Sequence, residues 1–215
     1  MLKKEKVIKN VTVFVAYLFI VWGFYRLIFK LPSEIEEIVI KPILWLLPLF
    51  YILKIEKRNI GSLGVTLRNI FPSIYLSISL GIAFAIEGLL INFLKYNRFE
   101  FEANIGDSPF LIILGLSFVT AISEEVVFRG YIFNRLLEII KKEWTANIIS
   151  SLIWGLIHLP ITLFWWKMDI GSSMGYIILI TIFGMGSAFV FARTRNVFSS
   201  ILLHVLWGWP ILLFR

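Results

Sequence analysis

Apolar stretches of about 20 residues recur along this chain, and each is long enough to cross about 30 Å of hydrocarbon as a helix. That recurrence limits the fold more than any other feature. Of 215 residues, 59% are hydrophobic and 16% charged, against about 45–50% and about 25% in an ordinary soluble domain. Disorder, a fibrous repeat and a cytosolic globule are excluded. The expected class is all-α, a polytopic transmembrane helical bundle. Seven or so spans use nearly the whole length, so residues 1–215 are expected to form a single transmembrane domain.

The spans read as Val11 to Phe29, Ile38 to Leu53, Ile70 to Leu94, Pro109 to Ile140, Trp144 to Leu159, Ser173 to Ala192 and Val197 to Phe214. The fourth would reach about 48 Å as one straight helix at about 1.5 Å per residue. It exceeds the bilayer, so it must tilt, protrude or break, with Gly115 and Gly130 as candidate break points. Glu34, Glu36 and Glu37 read as an acidic loop, Asn59 to Asn69 as a surface or interfacial piece, and Ile161 to Trp166 as a short re-entrant or interfacial turn. The basic start lacks a small-residue cleavage site, so the first span is expected to be retained.

Thirteen Lys and Arg fall on the side of the N-terminus and seven, including Arg26 and Lys41, on the other. The bias predicts a cytoplasmic N-terminus in a cell membrane. The net charge of +7 is explained by lipid headgroups at the helix ends, so no nucleic-acid partner is expected. Cysteine is absent, which excludes disulfides and thiol nucleophiles.

Charged groups inside spans cost about 2.5–3.5 kcal/mol each to insert and are functional suspects for that reason. They concentrate at Ser123-Glu124-Glu125-Val126-Val127-Phe128-Arg129. Glu125 and Arg129 stand one turn apart and can pair. Glu124 faces elsewhere, in line with Ser117 and Thr120 and without a local partner, which suits a general base. The chain's two histidines lie in later spans. His158 closes a polar stripe of Asn147, Ser151 and Trp154, and His204 follows Ser200 by one turn. A lone buried histidine reads as structural; both, with an unpaired glutamate and each in a separate span, read as a site. Glu124, His158 and His204 match the composition of a His₂Glu zinc centre with an open position for water. They equally suit a metal-free arrangement, Glu124 and His158 polarising water while His204 stabilises an oxyanion. Glu87 is a further intramembrane carboxylate, read as reaching toward the interface. Gly106-Asp107 sits in a polar loop and carries no weight.

These motifs resemble those of the CPBP family, the CAAX-protease and bacteriocin-processing membrane proteins. Glu124, Glu125 and Arg129 match its E-E-x-x-x-R motif, followed by Gly130 and Tyr131. His158 matches F-x-x-x-H with Trp154 in place of Phe. His204 matches a histidine followed four residues later by Asn or Asp, although that position here is Gly208. Leu63 to Asn69 looks like a loop that often precedes the family core, expected here at about 109–210.

The resemblance implies about 7–8 membrane segments around a buried polar cavity, and proteolysis of membrane-embedded or lipidated substrates. It implies Glu124 and His158 as the water-activating pair, His204 with its i+4 partner at the tetrahedral intermediate, and Glu125 and Arg129 as supports. Gly208 supplies no donor, so either Asn147, Ser200 or a backbone N–H replaces it, or the protein is slow or inactive. A non-proteolytic binding or immunity protein is the alternative. A proton-coupled transporter would show paired repeats, which are absent.

Overall fold

The computed structural model describes residues 4–100 and 110–214. It is 86% helical, with no strand among the described residues. Among the described residues, six helices are long and apolar enough to span a membrane: α1 Lys4–Ile28, α2 Glu36–Glu56, α3 Ile70–Tyr96, α4 Leu111–Ile140, α5 Glu143–Trp165 and α6 Ile170–Thr194. A shorter one, α7 Val197–Phe214, follows.

Helix α7 is central, packed by α3, α4 and α6, while α5 lies along α6 and α1 packs on α2 and the end of α4. The buried interior is aromatic, with Phe14, Trp45, Phe128, Tyr131, Phe133, Trp154, Phe183 and Phe191 all nearly inaccessible. Outward faces remain apolar: Ile20, Tyr51, Phe71, Ile82, Ile86 and Ile178 are more than half exposed. Water would penalise that surface and lipid would not.

Three local expectations need correction. The fourth span does not break at Gly115 or Gly130. It absorbs its excess length in wide π-helical turns over Val126–Phe133, directly after the two glutamates. Gly130 serves close packing instead, since a Cβ there would stand 2.8 Å from the Leu63 carbonyl oxygen. Ile161 to Trp166 is no separate turn: π-helical turns carry α5 on past Pro160 to Trp165. Glu36 and Glu37 are no loop, because α2 begins with them.

Pro42 shapes the same stretch. It lacks an N–H and crowds the preceding turn, and it opens the second of two π-helical segments, Glu36–Ile40 and Pro42–Leu46. The helix thus widens through Lys41 while running on from Glu36.

The piece from Asn59 to Asn69 is pinned to the α6–α7 turn. Val197 N–H donates to the Gly64 carbonyl at 2.9 Å, Asn69 donates to Thr194 at 2.9 Å, and Asn196 donates to Thr66 and Arg68. Gly64 has φ +80°, and a Cβ there would meet the Phe191 ring at 2.8 Å, so only glycine closes this turn. Asp169 caps α6 by accepting from Ser172 N–H at 3.0 Å, and the Ser172 hydrogen bonds hold its carboxyl below the usual carboxylate range.

Candidate functional site

Consecutive residues on a helix point about 100° apart, so Glu124 and Glu125 of α4 address different neighbours. Glu125 faces α6 and α7. Its Oε1 lies 2.7 Å from His204 Nδ1, while Oε2 accepts from Ser187 Oγ at 2.6 Å and pairs with Arg129 Nε at 3.1 Å. The expected Glu125–Arg129 pair is present. A carboxylate only accepts, so His204 Nδ1 carries the hydrogen.

Glu124 faces α2 and α5, and here the expectation of an unpartnered carboxylate is overturned. Oε1 accepts from Lys41 Nζ at 2.9 Å and Oε2 from the Trp154 indole N–H at 2.9 Å. Lys41, assigned from sequence to the outer charges, is 3% exposed. Its ammonium also donates to Glu37 Oε2 at 2.5 Å and lies 5.7 Å and 5.6 Å from the rings of Trp22 and Trp45. Thr120 donates to the same Glu37 oxygen at 2.7 Å. The Thr120–Glu124 face of α4 thus meets a Glu37–Lys41 face of α2, which accounts for Thr120. Ser117 instead donates back to the Ile113 carbonyl. A carboxylate offers about four lone-pair sites, so Glu124 keeps acceptor capacity beyond Lys41 and Trp154.

His158 Nε2 stands 3.9 Å from Glu124 Oε2. That is too long for a direct hydrogen bond and short enough for one water to touch both. Nδ1 of this ring lies 2.8 Å from the Trp154 carbonyl, an acceptor only, which leaves the lone pair of the neutral ring on Nε2. Trp154 is the common wall: its ring packs edge-on against His158 at 5.1 Å and His204 at 5.7 Å, with the Arg129 guanidinium 4.5 Å from its centroid. The indole N–H bond to Glu124 is one that the phenylalanine of the expected motif has no atom to make. Gly184 closes this wall, because a Cβ there would sit 3.1–3.3 Å from Ser151, Trp154 and Arg129.

The structure therefore gathers Glu124, Glu125, Arg129, Trp154, His158 and His204. Gly208 leaves open space, with nothing within 4 Å of a Cβ built on it. Two expected replacements for the missing donor are already engaged. Asn147 donates to the Met185 carbonyl and accepts from Ser151, and Ser200 donates to the Ser187 carbonyl. Glu87 is partly buried on α3 with no ion pair among the described residues, and Gly106-Asp107 lies outside them. Sequence reasoning missed Lys41, Glu37 and Ser187. The signal for the first two was an i, i+4 acid–base pair at the edge of an apolar run.

As they stand, these residues do not fit a His₂Glu zinc site. Among the described residues, no three His, Asp or Glu side chains converge as ligands. Both Glu124 oxygens accept protein hydrogen bonds, and an ammonium already occupies one side of its carboxylate.

Two comparisons with known proteins bear on this arrangement. Residues 106–209 match the family model for the Rce1-like type II CAAX prenyl endopeptidases. Over 98 residues the chain is 32% identical to a Bacillus subtilis (strain 168) protein named "Putative membrane peptidase YdiL". That alignment covers 46% of this chain and 34% of the relative, so the chain spans about a third of the relative's length. Both glutamates, Arg129, Trp154 and both histidines lie within the matched residues; Glu37 and Lys41 do not.

Proposed function

We propose that this chain, whose residues 106–209 match the family model for the Rce1-like type II CAAX prenyl endopeptidases, is a CAAX-type intramembrane endopeptidase cutting a membrane-associated, prenylated or otherwise hydrophobic peptide. The observation that carries the reading is His158 Nε2 standing 3.9 Å from Glu124 Oε2, close enough for one water beside them to touch both, next to a second carboxylate–histidine pair on the same indole wall. A water held by this pair donates one proton to Glu124 or His158 as its oxygen attacks the scissile carbonyl carbon. The carbonyl oxygen becomes an oxyanion. His204 meets it through Nε2 as an imidazolium, with Glu125 as the counter-ion on Nδ1. The proton taken from water passes to the leaving nitrogen, the C–N bond breaks, and an acid and an amine depart.

Arg129 and Ser187 hold Glu125 in place, so its charge stays directed at His204. The N-terminus is cytoplasmic on this reading, in a cell membrane, and the partners are the bilayer and the peptide. Gly208 favours a second reading, a binding or immunity protein that keeps the fold without the chemistry. The full chain in liposomes, offered quenched peptides with and without a farnesylated C-terminal cysteine, separates the two. Cleavage by wild type and none by a folded Glu124→Gln supports the peptidase. Equal peptide binding by both, with no cleavage, supports the second reading.

A further inference from the structure

The site extends beyond the residues of the family match. Lys41 lies on α2, 83 residues before the glutamate it touches, and its ammonium is sealed from solvent at 3% exposure. Around it stand Glu37 from its own helix, Glu124 from α4, Trp22 from α1 and Trp45 from α2. Behind Glu37 the charges continue: Arg26 of α1 lies 4.0 Å from Glu37 and pairs with Glu36, which also accepts from Tyr25 at 2.9 Å. Two carboxylates of α2 and one cation of α1 thus brace one lysine, and the lysine holds one oxygen of the residue that faces His158.

We propose that Lys41 is a positioning residue of the reaction, its ammonium balancing the Glu124 charge in an apolar bundle and aiming the carboxylate's remaining lone pairs at the reacting water. This rests on the peptidase reading of the same site. Three features separate it from a helix-to-helix contact alone. The lysine bonds the reacting carboxylate itself, not a residue behind it. Oε2 is tied to Trp154 at 2.9 Å, so the two donors together set the plane of the carboxylate. Helix α2 is already anchored to α4 one turn away by Thr120 and Glu37 at 2.7 Å, without drawing on Glu124.

The test uses the full chain in liposomes as wild type, Glu124→Gln, Lys41→Met and the double variant Lys41→Met/Glu37→Gln, which removes one charge of each sign. The probe is a quenched reporter peptide spanning a cleavage site whose new ends require Glu124 in wild-type membranes. The double variant keeps the net charge of the cluster and is expected to fold, while its kcat falls about 100-fold at unchanged KM. A double variant with kcat within twofold of wild type overturns the proposal, as does a loss confined to KM. If the double variant does not fold, Lys41→Gln replaces it, because its amide, one bond shorter than the ammonium, is still a donor but carries no charge; the same loss is expected and the same retention overturns the proposal. Absence of any Glu124-dependent cleavage overturns the peptidase reading and this inference with it. Cleavage that needs Glu124 and ignores Lys41 overturns this inference alone.

Discussion

Gly208→Asn is expected to make the protein faster. Gly208 stands one turn beyond His204 on α7, where an i+4 side chain shares the face of its predecessor. A Cβ there meets nothing within 4 Å, so the first side-chain atom is accommodated without a clash, and Asn is a slightly better helix former than Gly. What it adds is an amide N–H₂ beside the imidazole assigned to the oxyanion. In a serine protease one such donor is worth about 2.7–4 kcal/mol, or about 10²–10³ in kcat. The side chains best placed to supply it already, Asn147 and Ser200, donate to the Met185 and Ser187 carbonyls, so the gain should not be masked. The assay is kcat on the reporter peptide in liposomes, with Gly208→Ala as the control for helix propensity. An increase of about 10-fold or more for Asn and under twofold for Ala is expected. Equal rates for all three chains would refute the reasoning, since either the oxyanion forms elsewhere or a backbone donor already serves it.

Arg135 and Glu56 are both buried, with Tyr131 and Asn10 donating to the same carboxylate. Arg135→Met leaves a buried charge unpaired and should cost about 3–5 kcal/mol of stability. Arg58→Met breaks a partly exposed pair with Glu138 and should cost under about 1 kcal/mol; thermal melts in detergent compare them. Because the Glu124 donor set does not form a zinc site, strong chelators should leave the reporter cleavage rate within about twofold, and a loss restored by zinc would reverse that account. The cysteine-free chain allows clean topology mapping. In intact cells an impermeant maleimide should label Lys30→Cys and spare Arg68→Cys, and the opposite pattern would invert the assigned orientation.

Much of this architecture was legible because a bilayer imposes a minimum length on every apolar run, and the Glu125–Arg129 pair followed from helical spacing alone. Lys41 was not legible. The three glutamates before it read as a loop and the lysine itself as an outer charge, whereas the helix begins earlier, widens around Pro42 and turns Glu36, Glu37 and Lys41 inward. Its contact with Glu124 joins helices 83 residues apart, which no local spacing encodes. Trp154 was read as an aromatic stand-in for Phe; the indole N–H that reaches Glu124 depends on the rotation of α5 against α4, a property of packing. The excess length of α4 was visible, yet its accommodation was not, because π-helical turns leave no sequence mark as clear as a break at glycine.

Peptide ends in membranes of cells expressing the chain test the central claim most directly, wild type against Glu124→Gln at matched expression, mapped by mass spectrometry. The account predicts ends that appear with wild type and vanish with the variant, at sites in hydrophobic or lipid-modified segments. Identical sets of ends from both, with both proteins folded in the membrane, would contradict it.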